Sequence, residues 1–162
     1  MPPHWQRMEP NEQTGEPTCY NGLFRHSVDE KRRVQVPADW RPSQPGVQFT
    51  LVVWSGAAEG PCLRGFPPQR WAELMKEIVG LPRGDQNKPV LKRNIGRKSV
   101  QAPLDKAGRI CLPEEMAMAA GITDKAVLVG MLDQFEIWSA ERWKNREAAD
   151  EIMAQEAFRM ME

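Results

Sequence analysis

The chain has 162 residues and balances 22 basic side chains against 22 acidic ones, so it can bury one sizeable core or two small ones and shows no net bias toward a charged partner. Three cysteines without paired spacing argue against a disulfide framework or a zinc site and for a reducing compartment. The apolar runs fall short of a membrane span, and residues 1–7 lack the apolar core of a signal peptide, so the expectation is a cytosolic protein. The neutral total is unevenly spread. Between 81 and 113 eight basic residues face two acidic ones, whereas from 114 onward eleven acidic residues face five basic ones. A basic middle beside an acidic tail hints at a polyanionic partner.

Residues 1–19, rich in Pro, Glu and Gln, are expected to form a flexible extension in which His4 and Trp5 are incidental. A strand is predicted over 20–28, followed by a tight turn from Asp29 to Arg33. One helical turn fits 37–41 before Pro42 stops it. Strands are predicted over 47–54 and 62–66, joined by a loose Gly- and Ala-containing connection. Pro67 and Pro68 then open an amphipathic helix with Trp71, Leu74 and Ile78 on its core face, closed by Gly80 and Pro82. The segment 81–97 reads as a basic linker or as a short helix after Pro89. A strand over 98–104 leads to a second turn, a helix over 114–120, strands near 126–131 and 134–138, and a last helix capped by Ser139. Cys62 and Cys111 fall in apolar strands, where an inert buried thiol is expected.

The two turns are copies of one phrase. Asp29, Arg33, Val34, Val36 and Pro37 recur as Asp105, Arg109, Ile110, Leu112 and Pro113, all at a single offset of 76 residues. In each copy Asp opens the turn, apolar residues alternate after the Arg, and Pro ends the strand at a helix start. Phe49–Trp54 is echoed by Ala126–Met131, and the Arg70-Trp71 pair by Arg142-Trp143. The chain therefore holds two tandem units, each too small to be stable alone, which must share a core or exchange elements.

No phosphate-binding glycine loop, metal-ligand spacing or nucleophile–base arrangement is present, so an enzyme is not expected, and neither is a metal, a cofactor or a small-molecule substrate. His26 lacks a partner in the sequence, and the Glu114-Glu115 pair sits at a helix start, where the dipole favours acids anyway. Three consecutive cations at one turn, Lys31, Arg32 and Arg33, ask for an external partner. For Arg109 an ion pair with its own turn aspartate is the simpler role.

The paired turn phrases, together with Val127–Gly130, Phe135–Trp138 and Glu141–Trp143, resemble the MraZ family over roughly residues 20–145. The resemblance implies an α+β, mainly β fold: two tandem swapped-hairpin β-barrel repeats of the SpoVT-AbrB type, over 20–80 and 98–143, with short helices and a C-terminal helix over 144–162. It implies a transcriptional regulator of the division and cell-wall gene cluster, acting on its own promoter. Such a regulator binds tandem short DNA repeats, assembles into a ring-like homo-oligomer and associates with the nucleoid. Arg33 takes the family's DNA-contacting position. Lys31, Arg32, Arg25, Arg109 and Lys98 complete the cationic set expected near DNA. One departure stands out: Arg32 occupies the place that Gly108 keeps in the second copy. If that position has φ > 0, a side chain there costs about 1–2 kcal/mol. The alternative function is a ring-forming interaction protein of the same fold without specific DNA binding.

Overall fold

The computed structural model describes residues 19–162, so the expected extension over 1–19 lies outside the described residues apart from Cys19. Among the described residues eight strands and four helices follow one another in a repeated order. The first half comprises β1 (Leu23–Ser27), β2 (Arg33–Gln35), a 3-10 turn (Ala38–Trp40), β3 (Phe49–Trp54), β4 (Cys62–Phe66) and α1 (Pro68–Val79). After α2 (Asn87–Arg97) come β5 (Ser99–Ala102), β6 (Arg109–Cys111), α3 (Glu114–Ala119), β7 (Lys125–Gly130), β8 (Phe135–Ser139) and α4 (Ala140–Arg159). The chain is thus α+β and mainly β, with antiparallel sheets and a C-terminal helix.

Strand pairing crosses between the halves. A six-stranded sheet has the order β1-β7-β8-β4-β3-β5, so β1 pairs with β7 of the second half and β5 with β3 of the first. The turn strands β2 and β6 pair with each other in a separate ribbon, Arg33 opposite Cys111, Val34 opposite Ile110 and Gln35 opposite Arg109. Val34 and Ile110 are the same position in the two copies, so the ribbon has an approximate two-fold axis through that pair.

Period-two alternation gives the sheet two apolar faces. Inward residues Phe49, Leu51, Leu63, Leu128, Phe135 and Ile137 join Val34, Trp40, Ile110 and Leu112 in one core drawn from both halves. Each large side chain buried there contributes about 1.5–3 kcal/mol. A core common to both units removes the weakness of each alone. On the outer face α1 packs Leu74 and Ile78 on Val52 and Phe66, while Trp143 of α4 packs on Trp138 and Cys62. Gly65 has no side chain because the ring of Phe135 occupies that space.

Cys62 is buried, and burial first, then the nearby Glu136 carboxylate, pushes its thiol pKa up to about 12. Cys111 does not follow the expectation of a buried thiol: it is exposed. It alternates with buried Ile110 and Leu112 on a ribbon that is covered on one face alone. In the 81–97 segment a helix is present, and α2 begins before Pro89 instead of after it. Proline is tolerated in a first helical turn because those N–H groups lack intrahelical acceptors. Ser139 caps α4 by accepting from the Arg142 N–H at 3.1 Å.

Candidate nucleic-acid interface

Each turn is built around one aspartate. Asp29 Oδ1 accepts from the backbone N–H groups of Lys31 (3.0 Å) and Arg33 (2.8 Å), and Oδ2 from Arg33 Nε (2.7 Å). Asp105 repeats the set with Ala107 N–H (2.9 Å), Arg109 N–H (2.9 Å) and Arg109 Nε (3.0 Å). The backbone N–H of each closing arginine is the main cause that holds the carboxyl below its ordinary value of 3.8; the Arg33 guanidinium comes next at Asp29, and the Ala107 N–H and then the Arg109 guanidinium at Asp105. The ion pair favoured for Arg109 is present, and Arg33 makes the same one. Only one of five guanidinium N–H donors is used by each Nε bond, and the bond fixes the plane of the fork.

Pairing of β2 with β6 brings the two turns together. Because Val34 and Ile110 face the core, Arg33, Gln35, Arg109 and Cys111 share the outer face. Arg109 Nη1 lies 3.9 Å from Asp29 Oδ2, linking the two charge pairs across the axis. Gln35 Nε2 donates to the Ala107 carbonyl at 2.8 Å, and Cys111 Sγ to the Lys31 carbonyl at 3.3 Å, so each turn is braced by the opposite strand. Lys31 and Lys106 are exposed at the two tips. Each phrase, 29–33 and 105–109, carries a net charge of +1.

Arg32 does adopt left-handed backbone, with φ 61°, matching Gly108 at 79°. Its side chain is half-buried and tied to the end of β6. Nε donates to the carbonyl of buried Leu112 at 3.0 Å, and the Leu112 N–H donates to the Arg32 carbonyl at 2.8 Å. In the other half the Val36 N–H donates to the Gly108 carbonyl at 3.0 Å, and the Val36 carbonyl accepts from Arg41 Nε at 2.9 Å. The Arg41 guanidinium occupies the space that a Gly108 side chain would need. Arg41 and Gln35 were not among the expected site residues. The alternation of 33–36 pointed to Gln35, but nothing local marks Arg41.

Arg25 and Lys98 stand apart from this ribbon. Arg25 is exposed in β1, opposite Val127 of β7, four residues before Asp29. Lys98 ends α2, where its carbonyl accepts from the Val53 N–H at 3.1 Å, at the end of β5 remote from the second turn. Among the described residues no helix is long and apolar enough to cross a membrane.

The fold and the ribbon define a two-copy repeat protein with interlocked halves, whose matching cationic turns meet on one surface. Residues 97–161 match the family model described as "MraZ protein, putative antitoxin-like". The chain is 34% identical over 124 residues to a protein of Roseiflexus castenholzii named Transcriptional regulator MraZ, an alignment covering 76% of this chain and 83% of that one. Proteins of the same name from Leuconostoc mesenteroides and Herpetosiphon aurantiacus are 33% identical (82% and 91% covered) and 38% identical (76% and 82% covered). The chain belongs to the MraZ family. The name its relatives carry is that of a transcriptional regulator and not of an enzyme.

Proposed function

We propose that this protein is a sequence-specific DNA-binding transcriptional regulator that reads double-stranded promoter DNA with the β2–β6 ribbon. The observation that carries the reading is the juxtaposition of Arg33 and Arg109, with Lys31 and Lys106 beside them, on the uncovered face of a two-stranded ribbon. A major groove admits such a ribbon, and a guanidinium fork held in one plane suits the two acceptors of guanine. Asp29 and Asp105 act as positioning residues that hold those forks. One such contact discriminates bases by about 1–3 kcal/mol, too little for one operator among many sites. Tandem DNA repeats met by a ring-like homo-oligomer supply the missing affinity through effective concentration. The target is the protein's own promoter at the division and cell-wall gene cluster, and its place in the cell is the cytoplasm, at the nucleoid. The two repeats are swapped-hairpin units of SpoVT-AbrB type, a reading supported by the exchange of β1 and β5 between halves. Arg25 and Lys98 serve as flanking phosphate contacts. Arg32, though at the tip, supports the ribbon more than the DNA.

The test is fluorescence anisotropy with the protein's own upstream promoter fragment and a scrambled control, at two salt concentrations. Wild type is expected to prefer the promoter, with affinity falling steeply in salt, and Arg33→Ala to lose roughly tenfold. One observation favours a second reading, an oligomeric interaction protein without specific DNA binding: both ribbon arginines already have carboxylate partners. Absence of binding to either fragment by a folded, assembled protein selects that reading and rejects the regulator.

A further inference from the structure

The bonds that brace the two turns are copies of one another, but their donors are not. Gln35 and Cys111 are separated by the repeat offset of 76, and so are Lys31 and Ala107, whose carbonyls accept from them. Val34, Val36, Ile110 and Leu112 are buried, so Gln35 and Cys111 both lie on the uncovered face of the ribbon. Gln35 stands opposite Arg109, and Cys111 opposite Arg33. Each outward fork therefore has one such neighbour, an amide in one half and a thiol in the other.

The two donors leave different atoms behind. A carbonyl only accepts, so the 2.8 Å contact with Ala107 identifies the amide end at the turn as nitrogen and the other end as Oε1. Nε2 also lies 3.5 Å from the Gly108 carbonyl, which further holds the nitrogen to the turn. Among the described residues nothing donates to Oε1. Cys111 has a single S–H, directed at the Lys31 carbonyl, and what remains is a sulfur that accepts weakly. Bracing does not by itself account for the amide, because the thiol braces the equivalent turn without one.

We propose that Gln35 is a specificity-determining residue. Its Oε1 accepts from the exocyclic amino group of the base beside the guanine met by Arg109, and Cys111 offers no equivalent beside the guanine met by Arg33. In the major groove adenine N6 and cytosine N4 supply such a donor, whereas guanine and thymine present oxygens there. The ribbon is thus two-fold in its backbone and its arginines but not in the bases it reads. The inference rests on the DNA-binding reading above and names a residue that selects sequence within it.

The test is selection of binding sites from a randomised duplex pool by the full chain, followed by anisotropy competition with single-base changes. Wild type is expected to prefer adenine or cytosine beside one guanine, with guanine or thymine there weakening binding roughly fivefold. Gln35→Cys gives the second turn the thiol that braces the first, and is expected to lose that preference while keeping the others. Cys111→Gln makes the reverse exchange and is expected to gain the same preference at the mirror-related base. Circular dichroism is expected to be unchanged in both, and if one variant does not fold the other decides. Preferences unmoved by the exchanges, or affinity lowered equally for every duplex, overturn the inference and leave the regulator standing. Failure of wild type to enrich any sequence rejects the regulator, and the inference with it.

Discussion

The two turns of this protein make the same hydrogen bonds but differ in the source of one guanidinium. In the second turn Gly108 leaves a space that Arg41 of the first half fills on its way to the Val36 carbonyl. In the first turn the corresponding carbonyl, that of Leu112, is reached by Arg32 from the turn itself, and the position equivalent to Arg41 is Ala117. Both arrangements provide a cationic donor to a buried strand-end carbonyl. The first accepts a strained backbone at a residue with a side chain, and the second spends a glycine. An extra arginine in a cationic run can thus also brace the fold through one of its donors, and residue 32 is read fully only with 41, 108 and 117 beside it.

The comparison is broken most strongly by removing both outward forks. The double change Arg33→Ala with Arg109→Ala is expected to weaken promoter binding by about 2–4 kcal/mol, with each single change costing about half, as measured by anisotropy titration. Unequal single effects reveal that DNA uses the two turns differently. Gly108→Ala comes next. It places a side chain at φ 79° and displaces Arg41, so a loss of about 2 kcal/mol is expected in urea unfolding.

The same measurement sharpens the role of Arg32. Arg32→Ala keeps the left-handed strain and loses the bond to Leu112, an expected cost of about 1 kcal/mol. Arg32→Gly loses the bond but relieves the strain, so its stability should stay within about 0.5 kcal/mol of wild type. Equal destabilisation by both would remove the compensation. The smallest effect is on acid stability. Asp29 and Asp105 have folded-state values depressed below 3.8, so their stabilisation is present above that value and is lost as pH falls through the lowered ones. Asp29→Asn and Asp105→Asn should each flatten the acid limb of the stability profile below about pH 4, and by the same amount if the turns are equivalent.

Much of the local structure was legible from the chain. Pro67 and Pro68 marked the start of α1, Ser139 capped α4, and the strand over 62–66 fell where its alternation put it. These features depend on neighbouring residues. What escaped depends on distant ones. Asp and Arg at the ends of a five-residue turn announce their ion pair, yet nothing near Arg32 announces Leu112, which is 80 residues away. Arg41, at the end of the one helical turn read over 37–41, carries no local sign of the Val36 carbonyl it reaches. The exposure of Cys111 follows from the ribbon being covered on one side, a tertiary fact. Helix α2 was ambiguous because its apolar residues are few and none of them is buried.

The exchange of strands also sets the order in which the molecule can come into being. Leu23 pairs with Val129, 106 residues later, so β1 has no partner during synthesis until β7, midway through the second half, has left the ribosome. The β3–β4 hairpin can form early, whereas the ribbon must wait for β6 and the first edge of the sheet for β7. Pairings of such separation are slow because the intervening chain must be closed before any contact rewards it. The nascent first half therefore passes through a period with Val34, Phe49 and Leu51 uncovered, when a chaperone or a neighbouring nascent chain has access to them. The arrangement that makes the two halves inseparable once folded is also what leaves the first of them waiting for the second.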